Sequence, residues 1–298
     1  IQSFKKIMKK NIIIASSALL LSSIFFVIND GIINYLSSQN IQFYHFIFYG
    51  SPAYIVVPIY LLIRGTLKKN IICNNYWIPL IRGLIFAPMP FITFISLKNI
   101  TLPEFTTLNM SAPLIGAIYA YFFLKEKLNS FVYISLAIGF LGVIFVIQPG
   151  FDNFNIYFLV TLFGVLLITT TTTIVNKFNT VTTTLGYFLY GGLFIHIISF
   201  LLFIWNPIKI SYNEFFLITI ASILINIALF LATFAFKKAQ RHYSAIFCLV
   251  YLQIVWSSFI GFYFFNEYLN KYALIGASLI VISGIISVPG QIKQADDK

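Results

Sequence analysis

Asp30 is the acid set deepest in apolar sequence, inside a run that begins at Ile12. If that run is one helix rising 1.5 Å per residue, Asp30 lies about 27 Å along it. The alternative ends the helix at Asn29 and leaves Asp30-Gly31 at a surface. An acid held inside apolar sequence is costly and points to function, here attraction of a cationic group. Arg82 is the matching base, within a second apolar run. It can extend its head to lipid headgroups or meet a carboxylate on a ligand. His45 and His196 lie in apolar runs too, where each can serve proton coupling or simply bond inside the protein. Asn34 and Asn109 add uncharged polar groups, as do Ser111, Asn226 and Gln253. Thr169 to Thr173 is a run of five threonines; some hydroxyls should bond back to their own helix, and one or two should line a cavity. Tyr49, Phe91, Tyr251 and Trp256 sit among or near these polar positions and, with Asp30, could box an organic cation by cation–π attraction. The expected substrate-binding set is therefore Asp30, Asn34, Tyr49, Arg82, Phe91, Asn109, Tyr251 and Trp256.

Other chemistries lack their residues. The chain has no His-Glu-x-x-His, no Gly-x-Ser-x-Gly elbow and no phosphate-binding Gly-x-x-x-x-Gly-Lys loop. Three scattered histidines build no zinc site, and Cys73 and Cys248 are not placed to pair. No metal, no cofactor and no enzymatic activity are expected.

The elements that position these residues follow from composition. Of 298 residues 59% are hydrophobic and 9% charged, against about 25% charged in a soluble domain. A soluble or disordered chain is excluded. Ten apolar segments can be read, at about 12–36, 42–63, 76–97, 101–124, 130–149, 156–176, 182–205, 213–236, 243–265 and 272–289. Each suits a membrane-crossing helix, which satisfies its own backbone in lipid. The fold class expected is all-α, a polytopic membrane protein of ten transmembrane helices. With the N-terminus in the cytoplasm, fifteen Lys and Arg fall on cytoplasmic segments and only Lys98, Lys209 and Lys271 on outer loops. This asymmetry places both termini on the cytoplasmic side, and the membrane expected is the cell inner (plasma) membrane. It also accounts for the +11 net charge. The bases are scattered rather than patched, which suits membrane lipid and not nucleic acid. The first apolar segment reads as a retained span, not a leader peptide, and Ile1 in place of Met suggests a few residues upstream. Trp77 and Trp205 read as interface anchors. Thr101-x-x-Glu104 and Ser211-x-x-Glu214 read as capping boxes. Pro88 and Pro90 should bend the third segment, and Pro113 the fourth.

An internal repeat organises the segments. Glu126-x-Leu128-Asn129 recurs as Glu267-x-Leu269-Asn270, and Pro149-Gly150 as Pro289-Gly290. Ile32-Ile33-Asn34-Tyr35 likewise resembles Ile174-Val175-Asn176-Lys177. The spacing is five segments, an odd number, so the copies face opposite sides of the membrane. Residues 1–150 and 151–298 are then two inverted five-helix repeats, an arrangement suited to alternating access. A carboxylate at a helix C-terminus opposes the dipole, so Glu126 and Glu267 should have partners. Lys125 and Lys127 adjoin the first, Lys271 follows the second by four residues, and both acids are candidates for a gating or structural ion pair, with a substrate or proton site as the alternative.

These stretches resemble the drug/metabolite transporter superfamily, in particular its ten-span EamA-type members, over essentially the whole chain. The resemblance is carried by Asn29-Asp30 with Asn34-Tyr35-Leu36, by Ile81-Arg82-Gly83, by Ser111-Ala112-Pro113-Leu114 with Leu124-Lys125-Glu126, and by Ala245, Tyr251-Leu252 and Phe265-Asn266-Glu267. Two departures stand out: Tyr49 lies where many members have arginine, and Gln253-Ile254 where many have proline. The resemblance implies a secondary active transporter of a small polar organic metabolite, with members similar to amino-acid exporters and others to S-adenosylmethionine carriers. The implied partners are a small-molecule substrate, lipid, and a coupling proton or counter-substrate, in a monomer or homodimer. A channel or membrane scaffold is the alternative.

Overall fold

The computed structural model describes residues 2–39, 41–125, 130–147, 154–239, 243, 249–250 and 253–296. Glu126, Tyr251, Pro149-Gly150, Ala245, His242 and Cys248 lie outside these residues. Every regular element among the described residues is helical: α1 Gln2–Ser37, α2 Phe43–Ile63, α3 Leu67–Ile71, α4 Trp77–Phe86, α5 Met89–Asn99, α6 Leu102–Asn109, α7 Ala112–Leu124, α8 Ser130–Ile147, α9 Ile156–Lys177, α10 Thr184–Trp205, α11 Tyr212–Ala239, α12 Gln253–Ile260 and α13 Lys271–Asp296. Seven stretches are long and apolar enough to cross a membrane: Ile13–Ser37, Phe43–Ile63, Trp77–Asn99, Leu102–Leu124, Ile156–Lys177, Thr184–Trp205 and Tyr212–Ala239. Three shorter apolar helices, Ala137–Val146, Gln253–Phe265 and Lys271–Ser283, fall on the fifth, ninth and tenth expected segments.

The prolines interrupt helices where expected. Pro88 is the N-cap of α5, so the Trp77–Asn99 stretch is two helices joined at Ala87-Pro88. Pro113 stands in the first turn of α7, and the fourth stretch breaks at Met110-Ser111. A proline has no N–H to donate four residues back, so Phe86 and Asn109 carbonyls lose their helical partners. Glu104 closes the Thr101 capping box and Glu214 reaches back to the Ser211 N–H. Trp77 and Trp205 are 73% and 90% exposed, as interface anchors require. α3 was not expected; it occupies the basic loop after α2. There Thr182 forms an isolated antiparallel bridge with Cys73 and bonds the Ile72 carbonyl.

Helix packing centres on a few long contacts. α1 lies along α11, α2 along α10 and α11, α10 along α4, α9 along α4, α5 and α7, and α12 along α1. α8 and α13 form a pair of their own, and the backbones meet at Gly142 and Gly276. Small residues of this kind let membrane helices approach closely. The described non-glycine residues with left-handed backbone are Lys125 (φ 56°) and Asn266 (φ 54°). Each ends a helix and stands immediately before a glutamate of the repeated motif. Ahead of Asn266, residues Gly261–Phe265 form a π-helical turn.

Candidate functional site

A cavity of about 230 Å³ opens among α1, α2, α4 to α7, α9 to α11 and the start of α12. Phe26, Phe46, Phe86, Phe94, Phe105 and Phe188 supply much of its apolar wall. Its polar lining includes Asp30, Arg82, Asn109, His196, Asn226 and Gln253. The helix breaks serve this arrangement: Asn109 is the last residue of α6, and Pro90, just past the other break, lines the same space.

α1 runs unbroken through Ser37, so Asp30 is intrahelical and not at a surface turn. Its Oδ1 accepts a hydrogen bond from Asn29 Nδ2 at 3.3 Å. The buried Asn29 Oδ1 has no partner among the described residues. Arg82 does not reach for a lipid surface. It is 6% exposed, donates from Nη1 to the Tyr187 carbonyl at 3.3 Å, and lies over the Phe86 ring at 5.3 Å from its centroid. Its Nε has no partner among the described residues. No ion pair to Arg82 or Asp30 forms among those residues. An unpaired charge so placed costs several kcal/mol until something neutralises it.

The histidines divide. His45 accepts from Gln42 N–H at Nδ1 (3.1 Å), and Nε2 donates to the Asn206 carbonyl (2.8 Å). Both ring nitrogens are used, so His45 is structural. His196 donates from Nδ1 to the Gly192 carbonyl (2.8 Å) and lines the cavity. Tyr54, a residue the sequence did not mark out, stacks on it with centroids 4.0 Å apart, and its hydroxyl donates to the Leu189 carbonyl. All five threonine hydroxyls bond back to α9, and Thr171 and Thr172 line the cavity.

Other expected site residues lie elsewhere. Asn34 donates to Glu267 Oε1 at 3.1 Å. Tyr49 donates to the Ile208 carbonyl and is not on the cavity wall. Phe91 and Trp256 are 47% and 43% exposed and face outward. No aromatic box forms around Asp30 from these residues. Tyr251 and Glu126 lie outside the described residues. The expected Glu267–Lys271 ion pair is replaced by amide partners: Glu267 Oε2 accepts from the Leu102 N–H at 2.9 Å, while Oε1 takes Asn34. Leu102 opens α6, so the carboxylate sits at a helix N-terminus, where the dipole favours it. Burial pushes the Glu267 carboxyl up from its ordinary value, and the two N–H donors pull it back. No group of three or more potential metal-ligating residues occurs among the described residues.

Apolar helices around a mixed-charge cavity define a multi-pass membrane protein with a ligand-sized interior. Comparison with known proteins adds likenesses to that class. Residues 9–148 match the model of the EamA-like transporter family, and the resemblance to drug/metabolite transporters is borne out. The chain is 23% identical over 291 residues to the S-adenosylmethionine uptake transporter of Rickettsia bellii, covering 94% of each. It is 25% identical over 214 residues to an uncharacterized transporter of Helicobacter pylori (strain J99), covering 67% of this chain and 70% of that one. A crystal structure of a protein 17% identical superposes with a TM-score of 0.66 over 94% of this chain and 98% of the other, a likeness of fold. The matched family is described as one of transporters.

Proposed function

We propose that the chain is a secondary carrier for a small zwitterionic metabolite, of the amino-acid or S-adenosylmethionine type. The observation that carries this reading is that Asp30 and Arg82 line one cavity and neither has an ion-pair partner among the described residues. A ligand with an ammonium or sulfonium group and a carboxylate supplies both missing partners. Asp30 meets the cation, and Arg82 takes the carboxylate through charge-assisted hydrogen bonds. The phenylalanine walls and the Tyr54–His196 stack hold the rest of the molecule. The relative from Rickettsia bellii, named for S-adenosylmethionine uptake, is consistent with this chemistry.

Movement follows from two inverted halves, residues 1–150 and 151–298, in ten spans. The left-handed residues Lys125 and Asn266 support the repeat, since they occupy equivalent places in its two copies. So does helix packing: α2 on α11 answers α10 on α4, and α12 on α1 answers α7 on α9. Rocking of one half against the other would expose the cavity to each side in turn. The excess of basic residues on one set of loops supports cytoplasmic termini in the inner membrane.

Counterflow into vesicles holding the purified protein tests the reading, with labelled S-adenosylmethionine and labelled amino acids as tracers. Saturable exchange is expected, and Asp30→Asn should abolish it with expression intact. Wild-type exchange by Asp30→Asn, or unsaturable ion current in place of exchange, overturns the proposal.

A further inference from the structure

Arg82 must be held where a ligand can reach it, and its surroundings show how. Its Nη1 donates to the Tyr187 carbonyl, which lies one turn before Gly191 on α10. In a helix the side chain four residues on stands beside such a carbonyl. Gly191 has none. A Cβ there would lie 2.0 Å from Arg82 Nη1 and 3.2 Å from its Cζ. The guanidinium therefore occupies the volume of the missing side chain.

Neighbouring glycines do different work. A Cβ on Gly83 would meet the Tyr190 carbonyl at 2.8 Å and the Gly191 Cα at 3.2 Å, so Gly83 lets two backbones approach. A Cβ on Gly192 would meet the Tyr54 ring at 2.6 Å. At Gly191 alone of the three, the obstructing group is the guanidinium of Arg82. The end of a long side chain can swing aside, whereas a backbone carbonyl cannot.

We propose that Gly191 is a positioning residue for substrate recognition: its bare Cα seats the Arg82 guanidinium on the cavity wall, and a methyl group there drives it out of register. The proposal rests on the reading of Arg82 as the carboxylate-binding group. It predicts a substitution that leaves the fold in place and damages affinity.

The test compares the full-length wild type with Gly191→Ala, Gly192→Ala, Arg82→Gln and the two double variants, in detergent and in vesicles. Thermal unfolding is read for each, and counterflow of labelled S-adenosylmethionine gives half-saturation and maximal rate. Gly191→Ala should fold and raise half-saturation about tenfold with little change in maximal rate, the pattern of lost binding. In the Arg82→Gln background, whose shorter side chain avoids the new methyl, Gly191→Ala should have no further effect on half-saturation or on melting. Gly192→Ala should act equally in both backgrounds, because it acts through Tyr54. Additive effects of Gly191→Ala and Arg82→Gln, in either readout, overturn the proposal. If Gly191→Ala alone fails to fold, rescue by Arg82→Gln supports the proposal, and failure of the double variant overturns it. If S-adenosylmethionine is not carried, that substrate assignment fails, and coupling in the melting cycle decides the positioning role by itself.

Discussion

Two of the helix crossings that close on glycine, α8 with α13 and α4 with α10, differ in what fills the space. At the α8–α13 crossing a Cβ on Gly276 would lie 2.5 Å from the Gly142 carbonyl, and a Cβ on Gly142 would lie 2.8 Å from the Gly276 carbonyl. Backbone meets backbone in both directions. At the α4–α10 crossing Gly83 plays that part, while Gly191 admits a guanidinium. No described residue of the α8–α13 pair lines the cavity, whereas Arg82, Gly191 and Gly192 all do. One packing device thus makes a static joint in one place and a seat for chemistry in the other. The difference is whether the space left by the missing side chain holds backbone or a polar side chain that faces the cavity.

The largest effect should come at the static joint. Gly276→Leu must separate α8 from α13, since no neighbouring backbone can yield. Overpacking of this kind costs about 1–3 kcal/mol or more, and a sharp loss of monodisperse protein in size-exclusion chromatography is expected. Restoring part of the loss with a smaller residue, Gly276→Ala, would grade the joint. The contrast with Gly191 breaks if Gly191→Ala loses as much folded protein as Gly276→Ala. Next in size is Arg82→Gln. It should remove the carboxylate partner and cut exchange of zwitterionic tracers at least about tenfold, while melting stays near wild type or rises, since it removes a buried charge without a counter-ion. A marked fall in melting temperature would show that Arg82 belongs with the structural joints.

Much of this was legible in the sequence, for reasons specific to each residue. Asp30, Arg82 and Asn109 stand out because a polar group in an apolar run is costly and needs a purpose. The breaks at Pro88 and near Pro113 follow from the missing N–H. Aromatic placement was not legible. In a soluble helix the polar face tells which side is buried, but the second span, Phe43–Ile63, is apolar all round. Tyr49 and Tyr54 lie five residues apart, and no periodicity told that Tyr54 would face the cavity and Tyr49 the Ile208 carbonyl. The partner of Glu267 was hidden for another reason. Lys271 is near in sequence, while Leu102 and Asn34 are brought to it only by tertiary structure. Gly191 was not singled out either, because the group that approaches it, the Arg82 guanidinium, is a fact of three dimensions.

A smaller effect distinguishes ties within the bundle from caps on its surface. Glu267 joins three elements: the link after the π-turn, the first turn of α6 and the end of α1. Ser211 and Glu214 form a similar box at the start of α11, but Ser211 is exposed, Glu214 is half-buried, and the box ties in no other helix among the described residues. Glu267→Ala removes an acceptor from two N–H groups, one backbone and one amide, and should lower stability by about 1–3 kcal/mol. Ser211→Ala should cost about 0.5–1 kcal/mol, the usual value of a cap, and leave exchange unchanged. If Glu267 ties moving parts as well as supporting them, Glu267→Gln should shift the exchange rate while keeping most of the stability, because the amide oxygen still accepts one of the two bonds. Equal rates for wild type and Glu267→Gln, with only the small change in melting, would place Glu267 beside Ser211 as a cap and nothing more.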